Sequence, residues 1–286
     1  MSLILSVQSH VAFGYVGNCA AIPPMQALGH DVIALNTVHF SNHTGYGDWQ
    51  GRVTSLDDLS DLIRGIKARG LFPQVDAILT GYLGDSALGA LVLDTLAEIR
   101  RDNPACLYSC DPVMGDVGRG FFVRDDVPQF FKDHALGAAD ILIPNQFEAG
   151  YLSGIEINDH DTARRACDVL HNKGAKTILI TSYHPMDLAL DEISMYLSDK
   201  DAGAYLVKTP RFSMDPMPNG AGDVTAATFT GHILNGRSPV EALQYTAGAL
   251  HALFTKTNMA KRRELCLPQM GGEFSAPAQL FDVVKL

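Results

Sequence analysis

The chain has 286 residues, of which 47% are hydrophobic and 19% are charged, so it can bury a sizeable core and is not a disordered protein. Its formal net charge is −10, from 32 acidic and 22 basic residues. This acidity argues against a nucleic-acid binder, whose footprint is a basic patch, but it does not exclude an anionic ligand, because a local site can oppose the global charge.

Short apolar runs alternate with longer amphipathic segments along the chain. The short runs are bounded by turn residues and lack a clean period-2 polarity, which is typical of strands buried on both faces. They cover residues 3–7, 32–35, 77–79, 107–110, 141–143 and 177–180. Apolar residues at helical spacing predict helices over residues 56–69, 88–101, 161–173 and 239–255. This alternation predicts an α/β fold with a mainly parallel sheet and helices on both faces.

Two regions break the alternation. Residues 39–53 are rich in Gly, Asn, His and aromatic side chains and have no period, whereas residues 192–207 predict two strands around a turn at 198–201. Residues 266–286 show no periodicity that predicts an element. We find no linker and no internal repeat, so we expect a single domain over residues 1–286 whose sheet has one antiparallel edge.

A glycine-containing loop precedes a helical segment late in the chain, with the sequence Asn219-Gly220-Ala221-Gly222-Asp223. Glycines let backbone N–H groups turn toward a ligand, and the first turn of a helix leaves N–H donors free, so the segment can form an anion hole. A carboxylate inside an anion hole repels phosphate unless it is needed to take a proton. The alternative is that Asp223 only caps the helix.

Two further polar segments follow buried strands. Asp111 and Asp116 come after residues 107–110, and they either orient a Mg²⁺ ion near phosphates or belong to a simple turn. Asn145 and Glu148 come after residues 141–143, and they either form a helix capping box, whose three-residue spacing they share, or lie beside a metal–phosphate cluster. Both interpretations of each segment stay open from the sequence.

Smaller polar segments also lie at predicted strand exits. Ser9 and His10 end the first strand, residues 41–46 follow the second, and Tyr82 follows the strand at 77–79. Because the carboxyl ends of parallel strands meet at one edge of a sheet, all these segments are expected to converge there. Their common placement is more informative than any single motif.

The segments together resemble one known family. The residues that carry the resemblance are 8–11 (QSHV), 41–46 (SNHTGY), 80–82 (TGY), 110–116 (CDPVMGD), 144–148 (PNQFE), 152–154 (LSG), 180–182 (ITS) and 220–223 (GAGD). They resemble the ribokinase-like superfamily and, within it, the pyridoxal kinase family. The glycine motif marks only the superfamily, whereas QSHV and SNHTGY lie on the substrate side and are specific to the pyridoxal kinase branch. The resemblance implies a ribokinase-like three-layer αβα sandwich with a mainly parallel central sheet.

The implied activity is ATP-dependent phosphorylation of the 5′-hydroxymethyl group of pyridoxal, pyridoxine or pyridoxamine, which forms pyridoxal 5′-phosphate in vitamin B6 salvage. The resemblance implies that Asp223 is the general base and that backbone N–H groups of the loop stabilise the transferred phosphoryl group. The implied catalytic set is Asp223, Gly220, Ala221 and Gly222. The implied substrate-binding set is Ser9, His43, Thr44, Tyr82 and Asp223.

The resemblance also implies a nucleotide site and a metal. The implied ATP-binding residues are Asp111, Asn145, Glu148, Thr181, Ser182, Gly220 and Gly222. Mg²⁺ would accompany ATP, with Asp111, Glu148 and Asp116 as its candidate ligands. Thr181 stands where some members have a phosphate-neutralising lysine, and Ile143 stands where some have a threonine beside a monovalent-cation site. A requirement for K⁺ therefore stays open.

The implied partners are ATP and a B6 vitamer, and the resemblance implies a homodimer. No membrane partner is expected because no stretch approaches the ~20 apolar residues of a span. The N-terminus has no signal-peptide pattern, and the five cysteines form no CxxC motif, so we expect a cytoplasmic protein. We interpret residues 261–263 as a solvated helix end.

Two alternative functions are a hydroxymethylpyrimidine-type kinase and a catalytically silent B6-binding protein.

Overall fold

A computed structural model describes all 286 residues, and its centre is a large sheet. The strands are β1 (Leu3–Val11), β2 (Asp31–Phe40), β3 (Gly51–Val53), β4 (Val75–Thr80), β5 (Leu107–Cys110), β6 (Gly115–Asp116), β7 (Gly120–Phe121), β8 (Ile141–Leu142), β9 (Thr177–Tyr183), β10 (Glu192–Asp199), β11 (Gly203–Pro210) and β12 (Val283–Lys285). Ten of them form one sheet in the order β12-β11-β10-β9-β8-β5-β4-β1-β2-β3, while β6 and β7 form a separate hairpin.

The middle of the sheet is parallel and both edges are antiparallel. Strands β2, β1, β4, β5, β8 and β9 run in the same direction. Strands β10, β11 and β12 continue the sheet antiparallel beyond β9, which confirms the two strands predicted over residues 192–207. The expectation of one antiparallel edge was wrong, because β3 pairs antiparallel with β2 at the opposite edge. Three residues are too few to show a periodic pattern in the sequence.

Helices cover both faces of this sheet. They are α1 (Asn18–Ala27), α2 (Leu56–Ala68), α3 (Ser86–Asp102), α4 (Asp126–Phe130), α5 (Gln146–Ser153), α6 (His160–Lys173), α7 (Ala221–Leu234) and α8 (Pro239–Met259). Leu5 and Val7 of β1 share a buried cluster with α2, α3, α5 and α6, whereas Ile4, one position before Leu5, packs with α1, α7 and α8. The alternation of side chains along β1 therefore supplies both cores, and the predicted three-layer αβα sandwich is confirmed.

The two strands β1 and β2 run further than their apolar sequence runs. Strand β1 continues through Gln8, Ser9 and His10, and His10 still pairs with His39 of β2. Gln8 is buried, and its side-chain amide donates a hydrogen bond to the Ser6 hydroxyl at 3.0 Å. Backbone pairing thus carries polar residues forward to the carboxyl edge of the sheet.

The cysteines are all free thiols, and four of the five are buried, as expected for small core residues. Burial raises the pKa of the Cys106 thiol to about 11, so that thiol stays protonated at neutral pH. No helix in the structure combines the length and apolar character needed to cross a membrane.

Candidate active site

One large cavity, with a volume of about 520 Å³, lies at the sheet edge where the parallel strands end. Open α/β sheets place their ligand sites at this edge. The prediction that the polar segments converge there is confirmed, because the cavity is lined by Ser9, His43, Thr44, Tyr82, Asp111, Asp116, Asn145, Glu148, Thr181, Ser182, Gly220, Ala221, Gly222 and Asp223. These are all the residues that the sequence placed in a site.

The glycine loop enters α7 through a conformation that only glycine adopts easily. Gly220 is the N-cap residue of α7 and has a φ of +92°. A Cβ atom at this position would collide with the carbonyl oxygen of Tyr15. The N–H groups of Ala221, Gly222 and Asp223 lie in the first turn, where they have no partner within the helix. This end of α7 can therefore bind an anion.

Asp223 lies in the same first turn and lines the cavity. Burial raises its pKa to about 6, and the nearby backbone N–H groups of Gly17 and of Asp223 itself limit this increase by favouring the carboxylate form. A carboxylate with this pKa is mostly ionised at neutral pH and is a better base than an ordinary Asp. The alternative that Asp223 caps the helix is wrong, because the cap position belongs to Gly220.

Glu148 and Asn145 form a capping box at the start of α5, and the box also faces the cavity. Glu148 Oε2 accepts the backbone N–H of Asn145 at 2.8 Å, and its Oε1 accepts that of Met114 at 2.9 Å. Asn145 Nδ2 donates to the Gly115 carbonyl at 2.8 Å. The capping interpretation is confirmed, and the box also fixes the loop after β5 against α5. The role of Asn145 and Glu148 beside a metal–phosphate cluster stays a prediction.

Two buried carboxylates lie beside each other on this side of the cavity. Asp111 is 7% exposed and Glu148 is 3% exposed, and no salt bridge joins either to a basic side chain. Burial raises the pKa of Glu148 to about 8. Burial, followed by the charges of Glu148 and Asp223, raises the pKa of Asp111 well above its ordinary value. Ionising both carboxylates of such a pair is unfavourable when no cation is near, so the pair attracts a cation.

Thr181, Ser182 and Asp116 line the cavity next to these carboxylates. The backbone N–H of Thr181 donates to the Pro144 carbonyl at 2.8 Å, which joins the end of β9 to the loop before α5. Ser182 has a φ of +47°, a strained conformation of the kind found at functional sites. Asp116 Oδ1 accepts the N–H of Val117 at 2.7 Å and so stabilises the β6–β7 hairpin.

The opposite end of the cavity carries the residues predicted to bind the substrate ring. His43 caps a short 3-10 helix, Thr44–Tyr46, and its Nδ1 accepts the N–H of Gly45 at 3.1 Å. Burial, aided by the nearby Arg119, lowers the pKa of His43, so the imidazole is neutral at pH 7. Burial also raises the pKa of the Tyr82 hydroxyl. Ser9 and Tyr82 thus present uncharged hydrogen-bonding groups to the cavity.

An apolar part of the cavity was not predicted from the sequence. Phe212 stacks on Phe254 of α8, with ring centroids 6.0 Å apart and planes 17° apart, and Leu250 lies beside them in the cavity wall. Two arginines, Arg119 and Arg211, and the imidazole of His184 also line the cavity. The helical periodicity of α8 could have predicted that Leu250 and Phe254 lie on its inner face. Phe212 lies in a loop without any periodic pattern, so the sequence did not predict its position.

The fold and the cavity together define a class of protein. A three-layer αβα sandwich with a glycine loop and a basic carboxylate at the start of α7 is a ribokinase-like kinase of small molecules. Residues 67–263 match the model of the phosphomethylpyrimidine kinase family.

Individual relatives narrow this class. The chain is 45% identical to a pyridoxal kinase PdxY of Rubrobacter xylanophilus over 283 residues, which cover 99% of this chain and 97% of the relative. It is 41% identical to a pyridoxal kinase PdxY of Corynebacterium diphtheriae, with 99% of both chains covered. A solved pyridoxal kinase of Leishmania donovani in complex with ADP and pyridoxamine superposes over 100% of both chains with a TM-score of 0.92 at 31% identity. This chain belongs to the pyridoxal kinase family.

Proposed function

We propose that this kinase transfers the γ-phosphoryl group of ATP to the 5′-hydroxymethyl group of pyridoxal, and also of pyridoxine and pyridoxamine. The observation that carries the proposal is the position of Asp223, a carboxylate with a pKa of about 6 beside the free N–H groups of α7. A proton acceptor and an anion site thus lie next to each other in one cavity. Solved relatives hold ADP with pyridoxamine and ADP with pyridoxine, which supports this pairing of ligands.

In the proposed transfer, the vitamer oxygen attacks the γ-phosphorus as the bond from that phosphorus to the ADP oxygen breaks. Asp223 takes the hydroxyl proton, and ADP leaves with the bonding electrons. Phosphoryl transfer depends mainly on positioning and electrostatic stabilisation, so the N–H groups of Gly220, Ala221 and Gly222 would stabilise charge on the moving phosphoryl group. A late proton transfer, after much of the bond to ADP has broken, suits a base of this strength.

The vitamer would lie between Tyr82, Thr44 and His43. Ser9 would hydrogen-bond the polar edge of the pyridine ring, and the Tyr82 ring would lie against its face. A neutral His43 suits this role, because its Nδ1 already accepts a hydrogen bond within its own turn. The ring-binding groups are therefore held by local hydrogen bonds before any substrate arrives.

The nucleotide would occupy the rest of the cavity. Its phosphates would lie near Asn145, Thr181 and Ser182, and its base would pack in the apolar part at Phe212 and Leu250. Because Thr181 replaces a lysine seen in some members, we assign the side-chain positive charge near the phosphates to basic residues elsewhere in the cavity wall. These are Arg119 and Arg211, because burial, aided by Arg211, lowers the pKa of His184 and leaves its imidazole neutral at pH 7.

A magnesium ion fits the carboxylate side of the cavity. Asp111 and Glu148 are buried without basic partners, and a cation would stabilise their ionised forms. No group of three or more His, Cys, Asp or Glu side chains is arranged to hold a metal by itself. The donor set therefore fits Mg²⁺, which is commonly bound by one or two carboxylates together with substrate phosphates. Bound there, the ion would neutralise phosphate charge, and Asp116 is a third candidate ligand.

Replacing Glu148 with Gln is expected to raise the Mg²⁺ concentration needed for half-maximal rate by about tenfold, in the range seen for groups that orient metal ligands. The substitution removes a buried charge that attracts the cation, and it keeps the size of the side chain. Activity is measured against total Mg²⁺ at fixed ATP. Glu156→Gln, an exposed carboxylate eight positions further on, is the matched control. An unchanged Mg²⁺ dependence in the Glu148 variant would remove Glu148 from the metal site.

The proposal itself is tested by ATP-coupled kinetics on pyridoxal, pyridoxine, pyridoxamine and hydroxymethylpyrimidine, with and without K⁺. We expect phosphorylation of at least one B6 vitamer with a kcat/KM well above that for the pyrimidine. A preference for hydroxymethylpyrimidine would support the alternative kinase. Vitamer binding without turnover would identify a silent binding protein. The single domain over residues 1–286, the homodimer, the cytoplasmic location and the K⁺ dependence stay predictions.

A further inference from the structure

The segment that follows α8 returns to the active site. Arg263 and Glu264, which we call the clasp, lie immediately after the exposed residues Lys261 and Arg262. The two oxygens of Glu264 contact different loops. Oε1 accepts a hydrogen bond from the Tyr46 hydroxyl at 2.6 Å, and Oε2 accepts one from the backbone N–H of Tyr15 at 3.0 Å. One carboxylate therefore joins two loops that are distant in the sequence.

Arg263 strengthens the contact with the first of these loops. Its guanidinium lies over the Tyr46 ring, 3.5 Å from the centroid, and its Nη2 donates to the Gly45 carbonyl at 3.0 Å. Tyr46 ends the 3-10 turn that His43 caps and Thr44 begins. The clasp thus holds the turn that carries two of the proposed ring-binding residues. Arg263 is exposed, as the interpretation of residues 261–263 as a solvated helix end expected, and it makes these contacts from the surface just beyond α8.

The second loop leads to the proposed base. Tyr15 is two residues before Gly17, whose nearby backbone N–H lowers the pKa of Asp223. The Tyr15 carbonyl packs against Gly220, and Leu265, the residue after the clasp, also contacts this glycine. Glu264 fits closely here, because a Cβ atom on Gly14 would lie 3.0 Å from its carboxyl carbon. The loop is therefore fixed between the clasp on one side and the anion hole on the other.

We propose that Glu264, supported by Arg263, is a positioning residue that sets the distance between the bound vitamer and Asp223. Backbone pairing joins the bases of the two loops, since the Phe13 N–H donates to the Ser41 carbonyl at 2.9 Å. Beyond that point their side-chain links are this carboxylate and the Phe13–Tyr46 ring contact at 6.2 Å. A displacement of reacting groups by about 1 Å can cost 10²-fold in rate, so such a link has catalytic consequences. The inference rests on the proposed function.

The alternative is that the clasp only anchors the chain after α8. A structural role of that kind would lower the melting temperature and would affect both substrates alike. A positioning role is selective, because the polar contacts of Arg263 and Glu264 go to Tyr15 and to the Gly45–Tyr46 turn, and none goes to Phe212 or Leu250 at the nucleotide end. The two roles differ in how KM for the vitamer changes relative to KM for ATP.

The test compares Glu264→Ala with Glu264→Gln in steady-state kinetics. For Glu264→Ala we expect kcat/KM for the vitamer to fall about 10²-fold, through a higher KM and a lower kcat together, with KM for ATP within about twofold of wild type. Glu264→Gln keeps one acceptor for the Tyr15 N–H and a group that bonds to the Tyr46 hydroxyl, so it should restore most of this loss. Tyr46→Phe removes one hydrogen bond and should show only the rise in vitamer KM. Arg262→Ala, an exposed neighbour, is the matched control.

Unchanged vitamer kinetics in Glu264→Ala, or an equal loss toward ATP, would overturn the positioning role. Failure of the proposed function is a separate result, because it appears as wild-type protein that phosphorylates no B6 vitamer. In that case, hydrogen exchange still decides whether the clasp holds both loops. Glu264→Ala should speed exchange at the amides of Tyr15, Gly17 and Gly45, with α2 unaffected, and equal protection in the variant and wild type would refute the link.

Discussion

Replacing Asp223 with Asn is expected to lower kcat by about 10³-fold, in the middle of the range for loss of a general base. The substitution keeps the shape of the side chain and one of its two acceptor oxygens beside the Gly17 N–H. An amide cannot accept the hydroxyl proton. Binding should be largely kept, because the N–H donors of α7 and the ring-binding residues are unchanged.

The measurement is single-turnover phosphorylation together with dissociation constants for the vitamer and for Mg·ATP. Asp94→Asn, an exposed carboxylate on α3, provides the matched control with the same chemical change. Near-normal turnover in Asp223→Asn would show that another group takes the proton. A large loss of vitamer affinity would instead assign Asp223 mainly to binding.

The pH dependence supplies a second readout of the same group. Burial raises the pKa of Asp223 to about 6, and only the ionised carboxylate can accept a proton. The kcat/KM of the wild-type enzyme should therefore be constant near neutral pH and fall as the pH drops through about 6. The residual activity of Asp223→Asn should lack this acidic fall.

Hydrophobic periodicity predicted the scaffold well, because the amphipathic stripe of a helix such as α6 is a local property of the sequence. The helix predicted over residues 161–173 is observed over His160–Lys173. The placement of polar segments after buried strands was enough to bring Asp111, Asn145 and Asp223 to one edge. This inference needed only the direction of the strands, which the strand–helix alternation supplies.

What the sequence could not provide were contacts between distant segments. Glu264 meets Tyr46 across 218 residues, and neither residue belongs to a periodic pattern. Phe212 joins the cavity from a loop, and β3 pairs through backbone groups that carry no sequence signature. Strand β1 extends through Gln8 and Ser9 because its neighbour β2 supplies hydrogen bonds, which hydrophobicity does not record.

Replacing Gly220 with Ala is expected to cost 10²–10³ in kcat, the scale for loss of a backbone donor to a developing charge. The added methyl group would meet the Tyr15 carbonyl, and the backbone at φ +92° disfavours any side chain. The loop must shift to relieve the clash, and the shift turns the first N–H groups of α7 away from the phosphoryl group. It also moves the Tyr15–Gly17 segment, so the Gly17 N–H is displaced relative to Asp223 together with the anion hole.

A stability measurement separates this effect from general unfolding. The strain should lower the free energy of unfolding of Gly220→Ala by roughly 1–3 kcal/mol, so the variant should stay folded but lose activity. Gly65→Ala in α2 is the matched control, because no atom lies within 4 Å of its added Cβ and the change favours a helix by about 0.5–1 kcal/mol. If Gly220→Ala turned over normally, the N–H groups of α7 would not be the phosphoryl site. Loss of activity with unchanged Mg·ATP affinity would locate the requirement in the transition state, as expected for donors aimed at developing charge.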